Sequence, residues 1–217
     1  APVIDNEGVL VGAISVNDIV DVIEEEAQED LLLLGGVNDK NLYSSSFLTA
    51  KSRIPWLFTS LLTTSLAVII IAIFSKEIEK AVVLAVLLPI IASLAGNAGT
   101  QSLTVLVRTI ATNEVNNVGA IKILFKEIWV GSINGVFLAI FAATICYLWQ
   151  NNLSLSLILA VSIFVTIILS GFFGAIIPLF LNKMNFDPAI SSGVFLIAII
   201  DSIAFFIFLG LASIFIL

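Results

Sequence analysis

Histidine is absent from this chain, and cysteine and methionine occur once each. With no His, and with the single Cys146 set among apolar residues, Cys/His zinc sites, disulfide frameworks, His-based triads and His-ligated haem are excluded. Any metal must be held by oxygen. Charge is scarce as well: Asp, Glu, Lys and Arg make up 12% of the residues, about half of what a soluble domain carries. The first thirty residues hold no Lys or Arg, and elsewhere basic residues barely exceed acidic ones. Neither feature suits a nucleic-acid binder.

What is abundant is apolar. Hydrophobic residues form 59% of the chain and the mean hydropathy is +1.15, which identifies an α-helical polytopic membrane protein. The net charge of −7 comes from the front: nine of the sixteen acids lie before Leu31, and from there on seven acids face nine bases. Pro2 to Asp5 and Val9 to Ile14 are β-prone runs around the turn Asn6-Glu7-Gly8, which predicts a hairpin. Ser15-Val-Asn-Asp18 is an S-x-x-D capping box, and Ile19, Val20, Val22, Ile23 and Ala27 give the following helix an apolar side. Two strands and one helix cannot enclose a core. The chain opens with Ala1-Pro-Val rather than Met, with no signal-peptide pattern, and reads as a piece of a longer protein.

Gly35-Gly36 stops that helix, and Asn38 to Arg53 reads as a polar connector. Five apolar runs follow, at about Ile54–Phe74, Ala81–Ile110, Ile128–Trp149, Leu153–Leu181 and Ala189–Leu217. Each is long enough for a hydrocarbon layer of about 30 Å at about 1.5 Å per residue. Seven Lys and Arg residues fall on the side of the N-terminus, against Lys76 and Lys80 on the other. The expected topology is multi-pass in the cell (inner) membrane, with a cytoplasmic N-terminus and an external C-terminus. Trp56, Trp129, Tyr147 and Trp149 fall near span ends, as interfacial anchors do.

Asp201 is the only ionisable residue of the last 29. A carboxylate at the centre of a membrane helix costs about 2.5 to 3.5 kcal/mol on insertion scales, so it faces a partner, a bundle interior or a water-filled path. A protonated Asp hydrogen-bonded to a neighbouring helix is the structural alternative. The second run contains Pro89, then Gly96-Asn-Ala-Gly-Thr-Gln-Ser102 and Thr104. Pro89 deprives the Ala85 carbonyl of its helical donor, and Gly96 and Gly99 permit a bend or close approach. Asn97, Thr100, Gln101, Ser102 and Thr104 concentrate oxygens within two turns. This is a candidate wall for a cation pathway, with helix packing through small residues as the alternative. Gly131-x-x-x-Gly135 and Gly171, Gly174 and Pro178 read as packing sites, the last also as a kink. Asp187-Pro188 resembles a helix start, and Arg108 an interfacial anchor.

A single carboxylate per chain is a poor cage for a divalent cation. Two chains about a two-fold axis along the membrane normal would set two copies of Asp201 across a common path. Mg²⁺ sheds water reluctantly and suits such a sparse oxygen site, whereas the carbonyl ring of a K⁺ filter is missing. On the first helix, Asp18, Asp21, Glu25 and Glu29 share a side, with Glu26 and Asp30 beside them and no base nearby. That is either a solvated acidic face or a site for cytosolic cations.

Three stretches, Pro2 to Asp30, Leu94-Ala-Gly-Asn-Ala-Gly-Thr-Gln-Ser102, and Asp187-Pro-Ala-Ile-Ser-Ser-Gly193 leading to Asp201, closely resemble the MgtE family of magnesium transporters. The resemblance implies a remnant of a CBS domain over residues 1–27, a plug helix and linker over 28–53, and a five-helix magnesium channel domain over 54–217. It further implies a homodimer with a Mg²⁺-selective pore lined by the second and fifth spans. Asp201 would bind hydrated Mg²⁺. Pro89, Gly96, Asn97, Gly99, Thr100, Gln101, Thr104, Gly193, Ile197 and Ala198 would line the pore. Asp18, Asp21, Glu26, Glu29 and Asp30 would take regulatory Mg²⁺ and close the pore when the cytosol is replete. Thr100 stands where the family often has a second Asn, and Ile197-Ala-Ile-Ile200 where it has threonines. The residues do not separate Mg²⁺ from Mn²⁺ or Co²⁺. A proton- or Na⁺-coupled exchanger and a non-transporting membrane subunit are the competing expectations. An enzyme is not expected, because no nucleophile-base pair is visible.

Overall fold

The computed structural model describes residues 1–37, 45–112 and 119–216. It comprises two compact units, residues 1–53 and 54–217. In the first, β1 (Pro2–Ile4) pairs antiparallel with β2 (Leu10–Ala13), Pro2 opposite Ala13 and Val3 opposite Gly12. The Asp5 carboxylate accepts the N–H groups of Glu7 and Val9, each at 2.9 Å, and Gly8 takes φ +82°, a value few residues with a Cβ tolerate. Helix α1 (Val16–Leu34) begins at the expected capping box. The Ser15 hydroxyl accepts the Asp18 N–H at 3.2 Å, and the Asp18 carboxylate accepts the Ser15 N–H at 2.8 Å. Val16, Ile19, Val20, Val22 and Ile23 all remain exposed, as expected for too few elements to form a core.

The expected connector from Asn38 to Arg53 is shorter than its polarity predicts. Residues 38–44 lie outside the described residues, and α2 (Ser46–Ile73) is already helical at Ser46, running through Lys51, Arg53 and Pro55. Hydropathy marks where a helix enters a membrane; backbone hydrogen bonding continues into the polar residues before it. The second unit continues with α3 (Ser75–Lys80), α4 (Val83–Ala111), α5 (Ala120–Gln150), α6 (Leu153–Lys183) and α7 (Pro188–Phe215). Five of these helices are long and apolar enough to cross a membrane. Helix α4 runs without interruption through Pro89, Gly96 and Gly99, and of the two options its glycines permit, a bend or a close approach, the close approach is seen at Gly99.

Helix α6 is the centre of the bundle and packs against α4, α5 and α7. Lipid tails are as apolar as leucine, so membrane helices associate through close packing, and small residues let backbones approach. Ser162, Thr166, Ser170, Gly174 and Pro178 recur every four residues along α6 and are all buried. A Cβ on Gly174 would lie 2.5 Å from the Gly99 carbonyl oxygen, and one on Gly131 would lie 3.1 Å from that of Ile167. The glycines read as packing sites therefore pack, α4 and α5 each meeting α6 at backbone distance. Helix α2 differs: Ala67 is its one buried residue among those described.

Candidate functional site

Burial sorts the polar residues of α4 into two groups. Ser93, Asn97, Thr100, Gln101, Thr104 and Arg108 are exposed, and they recur every three or four residues, so they form one stripe along the helix. From Ser93 to Arg108 the stripe runs about 22 Å at about 1.5 Å per residue, most of the hydrocarbon thickness. Asn97, Thr100, Gln101 and Thr104, with Val105, line an open groove of about 500 Å³. Thr100 Oγ1 donates to the Gly96 carbonyl at 2.8 Å and Thr104 Oγ1 to the Thr100 carbonyl at 2.9 Å. Each hydroxyl has thus spent its proton on its own helix and keeps its lone pairs as acceptors, the state suited to cations or their water shells.

The opposite side of α4 is closed by α7. Gly99 is buried, and a Cβ there would meet Ile200 Cδ1 at 2.5 Å and Leu196 Cδ2 at 3.4 Å. Gly99 therefore serves contact with α7 and is not on the exposed stripe, whereas Pro89 is exposed and Gly96 half-buried. On α7, Gly193, Ile197 and Asp201 follow at spacings of four on one side, and Ala198 is buried. Asp201 is half-buried, and its Oδ1 is enclosed without a hydrogen-bond partner among the described residues. A carboxylate oxygen in that condition is a costly arrangement unless a cation or a further chain completes it.

Two residues here are not among those the sequence points to. Ser93 sits one turn before Asn97 on the same stripe, a spacing that identifies it. Glu127 precedes the third apolar run, which begins at Ile128, but α5 starts eight residues earlier and Glu127 is buried, at 6% exposure. Its signal was helical rather than hydropathic: Ile123, Glu127, Gly131 and Gly135 recur every four residues and are the buried face of α5. Ser102 belongs to the same interior, donating its Oγ proton to Glu127 Oε2 at 2.6 Å.

The acids of α1 do not form an enclosed site. Asp18, Asp21, Glu26 and Glu29 are exposed, and the Asp30 side chain lies outside the described residues. Among the described residues no three His, Cys, Asp or Glu side chains come together to hold a metal ion. Hydrogen bonds from the Ser15 backbone and side chain hold the Asp18 carboxyl below its ordinary range, so its charge is committed to the helix cap.

Residues 88–211 match the MgtE family model, described as a divalent cation transporter. The chain belongs to that family. It is similar to the magnesium transporter MgtE of Bacillus subtilis, at 33% identity over 99% of this chain and 48% of the relative. The magnesium transporters MgtE of Enterococcus faecalis and Thermus thermophilus are 32% and 31% identical, over 99% and 97% of this chain and 47% of each relative. The chain thus spans about half the length of these relatives. The MgtE match encloses the polar stripe of α4 from Ser93 onward, Glu127 and Asp201, and so takes in every intramembrane polar feature described above.

Proposed function

We propose that this chain forms the membrane pathway of a divalent-cation transporter with Mg²⁺ as its preferred cargo, the path running between two copies of the chain. The observation that carries this reading is the α4 stripe. A row of six polar residues facing lipid across most of the bilayer is untenable for a monomer, and a second copy related by a two-fold axis would enclose it as a hydrophilic channel. Two Asp201 carboxylates would then supply two negative charges, while hydroxyl and amide oxygens accept hydrogen bonds from the ion's retained water. Such a site attracts the ion without stripping it, and a weakly held ion can leave. The excess of Lys and Arg on that side supports a cytoplasmic N-terminus. There the α1 acids Asp18, Asp21, Glu26 and Glu29 would respond to cytosolic Mg²⁺ on the remnant of a CBS domain, drawing further ligands from a second chain.

Proteoliposomes holding the full-length protein test the reading. Mg²⁺ entry driven by membrane potential alone is expected. A strict requirement for a proton or Na⁺ gradient would replace the channel by an exchanger, and absence of any Mg²⁺ flux would overturn transport. In the same vesicles, Glu26→Gln with Glu29→Gln is expected to leave entry intact and weaken inhibition by Mg²⁺ on the cytoplasmic face; unchanged inhibition would remove the sensor role.

A further inference from the structure

Glu127 is a buried carboxylate inside a membrane bundle, and the pathway between two chains makes no use of it. Among the described residues Ser102 is its hydrogen-bond partner and no Lys or Arg forms an ion pair with it. The surroundings are built closely. Gly171 of α6 abuts the Glu127 backbone, where a Cβ would lie 2.9 Å from the carbonyl oxygen and 3.8 Å from Ser102 Oγ. Three helices therefore meet around the Ser102–Glu127 pair. Beside it lies a cavity of about 220 Å³ whose polar lining is Gln101, Ser102, Glu127 and Asn134, the remaining wall being apolar or glycine.

A buried charge is stable when it is paired or coordinates an ion. We propose that Glu127, Ser102, Gln101 and Asn134 form a second cation station within each subunit, taking a divalent cation through its water shell. The identity of the ion rests on the transporter reading; the station itself rests on the cavity. A cavity of about 220 Å³ has room for several waters beside the carboxylate. That suits a small ion that keeps part of its water shell and is more than a bare ion needs. Glu127 is the one carboxylate in the lining, beside neutral oxygens, a donor set that suits an ion keeping its water. Glu127 and the amide oxygens of Gln101 and Asn134 accept from bound water, while the Ser102 proton holds one carboxylate oxygen in place. Gln101 lines both this cavity and the α4 groove, so the station adjoins the pathway.

Mn²⁺ binding to the purified full-length protein, counted by electron paramagnetic resonance, tests the proposal. Glu127→Gln keeps an oxygen to accept from Ser102 and is expected to fold and to bind one fewer Mn²⁺ per chain. Asn134→Leu fills the cavity from an exposed position and is expected to lose the same ion. Asp201→Asn is expected to lose a different one. Excess Mg²⁺ should displace the Glu127-dependent ion; displacement by Na⁺ but not by Mg²⁺ would overturn the divalent assignment. Wild-type binding in both Glu127→Gln and Asn134→Leu would reduce the Ser102–Glu127 hydrogen bond to a structural pin. If Asp201→Asn alone retains wild-type binding, the pathway reading fails and the Glu127 station stands.

Discussion

Single residues divide between those a neighbour constrains and those it leaves open, and glycine shows this most plainly. Gly96 and Gly174 are both helical, yet a Cβ on Gly96 would meet nothing within 4 Å, while one on Gly174 would meet the Gly99 carbonyl oxygen at 2.5 Å and Ser102 Cβ at 2.8 Å. Gly174→Ala is expected to destabilise the bundle by about 1 to 3 kcal/mol through overpacking against backbone that cannot retreat. Gly96→Ala is expected to be neutral or slightly stabilising, since helix interiors favour Ala over Gly by up to about 1 kcal/mol. Thermal unfolding of the two variants in one detergent checks the contrast, and equal losses would contradict it. The run Gly96-Asn-Ala-Gly99-Thr-Gln101 likewise shows two small residues but not that Gly99 faces α7 while Gly96 meets nothing. That distinction depends on the angular position of α7, which no local residue encodes.

At the scale of elements, α1 carries its own start signal. Ser15→Ala removes a cap and is expected to cost about 1 kcal/mol of helix stability. The Asp18 carboxyl, held low by Ser15, gives the cap a pH dependence with a fixed sign. Its contribution is fully present above the ordinary carboxyl range, about 3.9, and is lost as pH falls through the lower folded value. Amide-exchange protection at the first turn, taken relative to the intrinsic rate at each pH, is expected to fall below that range in wild type and to show no such step in Asp18→Asn; protection unchanged with pH in wild type would contradict the assignment. This cap, the hairpin at Gly8 and the five spans were legible because each follows from a few adjacent residues or from a long apolar run. The starts of α2 and α5 were not. Hydropathy stops at Lys51 and Arg53 and again at Lys126 and Glu127, whereas helical hydrogen bonding passes through both places. Asp201 was legible from composition alone, while Glu127 became visible only once helix packing showed which face of α5 is buried.

For the whole molecule, what one chain lacks is more informative than what it packs. Helix α2 is almost unburied, the α4 stripe is uncovered, and Asp201 Oδ1 has no partner among the described residues. In the proposed reading a second copy would cover the stripe and face Asp201, so dimerisation and ion conduction stand or fall together. With Cys146 replaced by Ser, Asn97→Cys on the uncovered stripe is expected to form a disulfide-linked dimer under mild oxidation in membranes. Persistent monomer at that position and at Thr104→Cys would contradict a shared axis. Mg²⁺ flux into proteoliposomes through Asp201→Asn and Asp201→Ala beside wild type, at matched protein density, tests whether the cation path runs past Asp201. Both variants are expected to lose most Mg²⁺ flux, or its selectivity over monovalent ions, while remaining folded and dimeric. Wild-type flux and selectivity in both would contradict it.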